Sequence, residues 1–152
     1  MTPTNSAMSL DDMITTPSTS TRSRVIVAGL GRAGLGYACA FAMHPDAEVM
    51  GFIEPRNELR RFVRGIGFHA PSDASLLRWL TKHSGDAIVI ASPAAEAPEL
   101  VDQAVKSGLA VLVHGLAAMP GDVVERIATS LANSAQPVAA GSSIMFHPLF
   151  AR

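Results

Sequence analysis

The run Arg24-Val25-Ile26-Val27-Ala28-Gly29-Leu30-Gly31-Arg32-Ala33-Gly34 decides the fold. Its first half is apolar and rich in β-branched residues, as a buried strand should be. Glycines then stand at 29, 31 and 34, and the chain opens into Leu35 to Met43, which reads as a helix. A G-x-G-x-x-G between a strand and a helix has a mechanism. Gly29 takes the tight turn, Gly31 lets the backbone approach a pyrophosphate, and Gly34 lets helix and strand pack closely. The first amides of the helix and the positive end of its dipole would face the phosphates. Glu54 ends the next apolar strand, 54 − 34 = 20 residues after the last glycine. That is the spacing of a carboxylate that accepts from a ribose diol. The motif therefore predicts dinucleotide binding; the plain alternative is a glycine turn kept for packing.

Outward from this run, strand and helix alternate, the signature of a parallel sheet covered on both faces. Proline at 45 ends the first helix. Strands are expected at Arg24 to Ala28, Glu48 to Ile53, Asp86 to Ala91, Leu109 to Val113 and Pro137 to Ala140. Gly65-Ile66-Gly67-Phe68 reads as a turn into a brief edge strand. Helices are expected at Asn57 to Arg64, from Pro71-Ser72-Asp73 through Leu76, Leu77 and Leu80, and from Pro98 to Gly108. Asp122-x-x-Glu125 resembles a helix-capping arrangement ahead of Val123, Val124 and Ile127. The fold class is thus α/β, a doubly wound parallel sheet forming a single Rossmann-like domain over residues 23–152. Residues 1–22, rich in Thr, Ser and Pro, are expected to be a disordered tail.

At 152 residues and 48% hydrophobic, the chain suffices for one core. Its net charge of 12 − 13 = −1 gives no reason to expect nucleic acid as a partner. No apolar run reaches the length of a membrane span. The single cysteine, Cys39, excludes an internal disulfide, fits a reducing cytoplasmic setting and is expected in the core. The five histidines have no metal-ligand spacing, so no metal is expected.

The ordered chain resembles the N-terminal half of the Gfo/Idh/MocA family of glucose–fructose oxidoreductases and inositol dehydrogenases. The resemblance rests on Gly29-Leu30-Gly31-Arg32-Ala33-Gly34, Glu54, Ile90-Ala91-Ser92-Pro93, Ala104 to Val113 and Phe146-His147-Pro148. It implies an NAD- or NADP-binding half whose partner, a substrate domain, is expected to be absent here because Arg152 is the last residue. By resemblance, Ser92 and Pro93 border the nicotinamide side, while Arg32 and Ala33 belong to the phosphate loop. An arginine at 56 could take a 2′-phosphate, but Glu54 would repel it, so NAD is favoured over NADP.

One departure bears on chemistry. The family normally ends its fifth strand in Glu-Lys-Pro, whose lysine helps handle the substrate proton; here the residues are His114-Gly115-Leu116. Gly115 cannot move a proton, which leaves His114 as a candidate acid–base group or simply a histidine bonded at a strand end. Two function classes follow: an oxidoreductase nucleotide-binding unit that is incomplete alone, or a non-catalytic sensing or interaction module. The apolar residues Ile144, Met145, Phe146, Leu149 and Phe150 suggest a homo-oligomer or a partner chain.

Overall fold

The computed structural model describes residues 22–142. The expected tail up to residue 21, Phe146-His147-Pro148 and the apolar stretch through Phe150 lie outside the described residues. The strands are β1 (Ser23–Ala28), β2 (Ala47–Ile53), β3 (Ser72–Asp73), β4 (Ala87–Ile90), β5 (Ala110–His114) and β6 (Val138–Gly141). The helices are α1 (Arg32–Met43), α2 (Asn57–Gly65), α3 (Leu76–Leu80), α4 (Ala97–Lys106) and α5 (Gly121–Ala132). All pairings are parallel, in the order β3-β2-β1-β4-β5-β6. The order reverses between β1 and β4, and ligands of open α/β sheets bind outside the carboxyl ends of the strands at such a point.

Alternation along the strands sorts the core into two layers. Val27 and Phe52 pack with Leu30, Ala38 and Val63 beneath α1 and α2. Ile26, Ala28, Ile88, Ile90, Val111 and Val113 pack on the other face with Leu76, Trp79, Val101 and Ile127 of α3, α4 and α5. The pairing of β1 with β2 slips once: Val25 faces Val49 but Ile26 faces Gly51, which leaves Met50 as an extra residue. Met50 and Gly51 both contact the α3 layer. The bulge thereby resets the alternation, so that Phe52 and, two residues on, Glu54 turn toward α1 and its glycine loop.

Local chemistry sets the helix ends. Pro98 occupies the first turn of α4, where a missing amide costs nothing. Gly108, at φ +71°, lets the amides of Gly108 and Leu109 close back on Val105 and Ala104. The expected capping by Asp122 does not occur. Pro120 occupies the cap position of α5, and no side chain closes that end. The expected helix from Pro71 is also corrected: Ser72–Asp73 forms the edge strand, and Ser75 caps the short α3, its hydroxyl accepting from the Arg78 amide. Leu77 faces solvent, and Trp79 fills the core in its place. Cys39 is exposed rather than buried, because the inward face of α1 is Gly34 and Ala38.

The Trp79 indole donates to the Pro71 carbonyl at 3.2 Å and lies flat against Gly51, where an added Cβ would come within 2.5 Å of three ring atoms. Overfilling a packed core costs about 1–3 kcal/mol. Gly51→Ala should therefore lower stability by about that amount in urea unfolding followed by Trp79 fluorescence; an unchanged midpoint would refute this packing.

Candidate dinucleotide site

The three glycines play different parts. Gly29 has φ +88°, and its amide donates to Ile53 at 2.8 Å, continuing the ladder into β2. A Cβ there would also lie 2.6 Å from the Ala91 carbonyl oxygen, so the exits of β1 and β4 touch through the missing side chain. A Cβ on Gly34 would overlap the Gly29 carbonyl, which fixes how closely α1 approaches its strand. Gly31 differs from both. Its backbone is extended, at φ −73° and ψ −173°, and a Cβ would meet nothing within 4 Å. Neither backbone strain nor crowding by the described residues demands glycine at 31. Its open side lies at the start of α1, whose first residues are Arg32, exposed, and Ala33, half-buried.

Glu54 lies just past β2, with its side chain 1% exposed. Oε2 accepts from the Leu30 amide at 2.8 Å and from Arg56 Nη2 at 3.0 Å. Oε1 accepts from the Arg56 amide at 3.0 Å and from Arg56 Nε at 2.7 Å. The carboxylate thus holds the second residue of the glycine loop directly. Arg60 reaches back from α2, donating through Nη1 to the Glu54 and Pro55 carbonyls and through Nη2 to Asn57 Oδ1 at 3.4 Å. Arg56 and Arg60 are both built into the turn after β2. Nothing in the spacing of the sequence marks the Arg56 fork; a carboxylate and an arginine two residues apart is a common pairing.

A cavity of about 410 Å³ opens between the exits of β2, β3 and β4, within the size range of small-molecule sites. Ile53, Pro55, Leu76 and Leu100 give it apolar walls, and Ser92 and Glu96 are among its polar residues. Ser92 is buried there and Pro93 is exposed. The Pro93 carbonyl accepts from the amides of Glu96 and Ala97, which starts α4 without a side-chain cap.

His114, half-buried at the end of β5, contacts Tyr37 of α1 edge-on, with Nδ1 3.3 Å from the tyrosine hydroxyl. Gly115 follows in the left-handed region at φ +72°, its amide donating to Gly141, and the chain enters a short 3₁₀ turn at Leu116–Ala118. Sequence reading singled out His114 but missed Tyr37, whose position four residues before Phe41 looks like ordinary helix packing. Among the described residues no group of His, Cys, Asp and Glu could hold a metal ion, and no helix is long and apolar enough to cross a membrane.

Residues 23–130 match the model of the Gfo/Idh/MocA oxidoreductase family, NAD-binding Rossmann fold. No curated protein matches the chain. Among solved structures, myo-inositol 2-dehydrogenase from Lactobacillus plantarum superposes with a TM-score of 0.73 at 17% identity, over 84% of this chain and 38% of that one. A myo-inositol dehydrogenase from Corynebacterium glutamicum gives 0.65 at 26% identity, over 86% and 39%. The WlbA dehydrogenase from Bordetella pertussis, in complex with NADH and UDP-GlcNAcA, gives 0.71 at 20% identity, over 79% and 35%. The chain therefore spans less than two-fifths of the length of each.

Burial alone would push the Glu54 carboxyl up, but the Arg56 guanidinium and the amides of Leu30 and Arg56 outweigh it and hold the group below its ordinary value near 4.5. A carboxyl with a depressed folded pKa stabilises the fold fully above its unfolded pKa, and that contribution disappears as pH falls through the folded value. Glu54→Gln should therefore be less stable than wild type at pH 7, with the gap narrowing as pH drops below about 4.5. Urea midpoints of both proteins measured from pH 7 to 3 would show this; a gap independent of pH would contradict it.

Proposed function

The chain belongs to the Gfo/Idh/MocA oxidoreductase family, and from that premise we propose that it is a dinucleotide-binding domain whose ligand lies across the carboxyl ends of β1, β2 and β4. The observation that carries this reading is Gly31. Among the described residues nothing lies within 4 Å of its open side, and it stands where a pyrophosphate would meet the first amides of α1. Gly29, Gly31, Arg32, Ala33 and Gly34 would border the pyrophosphate, and Glu54 the turn that receives the adenosine ribose. The cavity between Pro55, Leu100 and Ser92 has the size and apolar walls that suit a flat adenine. Ser92 and Pro93 would continue toward the nicotinamide. When bound, a nicotinamide supplies a carbon that exchanges hydride with a substrate. The NADH complex of the WlbA dehydrogenase is consistent with this class of ligand.

Oxidoreductase chemistry as part of a larger assembly is the leading functional reading. Gly115 favours a second: with no side chain and a left-handed backbone, that position cannot supply the acid–base group the reaction needs. His114, its Nδ1 facing the Tyr37 hydroxyl, is then the nearest residue along the chain that could titrate. The proposal extends to a cytoplasmic setting and to self-association or a partner through Ile144, Met145, Phe146, Leu149 and Phe150, which sedimentation across a concentration series would test.

Calorimetric titration with NADH and NADPH should reveal saturable binding of at least one. Gly31→Ala should weaken it about tenfold or more while costing at most about 1 kcal/mol of stability. Binding that survives the substitution unchanged, or no binding of either dinucleotide to wild type, would overturn the proposal.

A further inference from the structure

We propose that β6 is a dimerisation edge, along which a second copy of this chain adds its own β6 antiparallel about a twofold axis. The inference is independent of the dinucleotide reading and of the apolar residues from Ile144 onward. Among the described residues β6 pairs on one side only, with β5. The Pro137 and Gly141 carbonyls accept from the amides of Val111 and Gly115 at 3.0 and 2.7 Å. Main-chain groups alternate sides along a strand, so residues 137, 139 and 141 turn theirs to β5. The amides and carbonyls of Val138 and Ala140 therefore point outward along the open edge. Val138, Ala139 and Ala140 are all exposed.

Proteins guard such edges with charge, proline, bulges or very short strands. The opposite edge of this sheet is guarded. Its strand, β3, pairs over two residues only, and Asp73 carries an ion pair to the exposed Arg78 at 2.7 Å. In contrast, β6 runs beside β5 without a bulge, has no proline inside it, and carries no charge. From Ile127 to Ser142 the chain holds no Asp, Glu, Lys or Arg. Near a twofold axis each residue meets its own copy, so a charge there would face a like charge. A self-pairing edge must be neutral. The edge is also its own complement. With Ala139 facing Ala139 on the axis, Val138 of each copy lies opposite Ala140 of the other, and each such pair exchanges both of its N–H···O bonds. The central pair is then the closely spaced kind, with Cα atoms about 4.5 Å apart, where a methyl group suits the narrow gap. That match is what selects a second copy as the occupant.

The test is sedimentation equilibrium of the full chain across a concentration series, with hydrogen exchange at both ends of the series. Wild type should dimerise, and the amides of Val138 and Ala140 should be protected at high concentration and released on dilution. Ala140→Pro removes an outward amide while keeping every bond to β5, and should weaken the dimer about tenfold or more. Ala139→Glu, which sets like charges across the axis, should weaken it comparably, with partial recovery in high salt. Circular dichroism establishes that the variants are folded; should Ala140→Pro not fold, Ala139→Glu and the exchange data carry the test. A wild type that stays monomeric at every concentration would overturn the inference. So would a folded variant that dimerises as wild type does, or a dimer in which the Val138 and Ala140 amides exchange as fast as in the monomer.

Discussion

A charged carboxylate taken out of water must be met by donors or it will not stay there. Glu54 is that group in this protein, and much of the site is the set of donors gathered to meet it. The Leu30 amide comes from the glycine loop, the Arg56 amide and guanidinium from the turn after β2, and Arg60 closes over the same backbone from α2. The glycine loop is therefore tied to the continuous turn and helix start after β2, 24 residues further along the chain. The extra residue at Met50 makes this possible by turning Glu54 to the α1 side of the sheet. The carboxyl edge of the sheet between β1 and β2 is therefore held by the chain's own hydrogen bonds.

The sheet was legible because β1, β2, β4 and β5 are apolar runs between turn signals, and such runs have one stable place in an α/β domain. The glycine spacing located the loop, and the family and the parallel six-stranded sheet agree with that reading. The edge of the sheet was read less well. A two-residue strand at Ser72–Asp73 carries no periodicity, and the proline before it suggested a helix start. Trp79 escaped notice because its burial depends on Gly51, 28 residues earlier, lacking a side chain. Cys39 was misplaced for a related reason. Nearly every residue of α1 is small or apolar, so composition alone could not say which stripe faces inward, and tertiary packing chose Gly34 and Ala38.

At the candidate site, sequence reading named residues without showing how they engage one another. Glu54 stood at the right distance from the glycines, yet its saturation by Arg56 is a matter of side-chain geometry that spacing does not encode. His114 was visible as a titratable group at a strand end, while Tyr37 beside it belongs to another element and is brought there only by the packing of α1 on the sheet.

The three glycines of the loop carry unequal information about history. Those at 29 and 34 are held by the chain's own geometry: a positive φ and the Ala91 carbonyl in one case, the Gly29 carbonyl in the other. A descendant that had abandoned its ligand would have to keep both merely to fold. Gly31 answers to no such internal requirement and would be the first to drift. In this architecture two of the motif's glycines answer to the fold itself, and the third answers to no contact among the described residues.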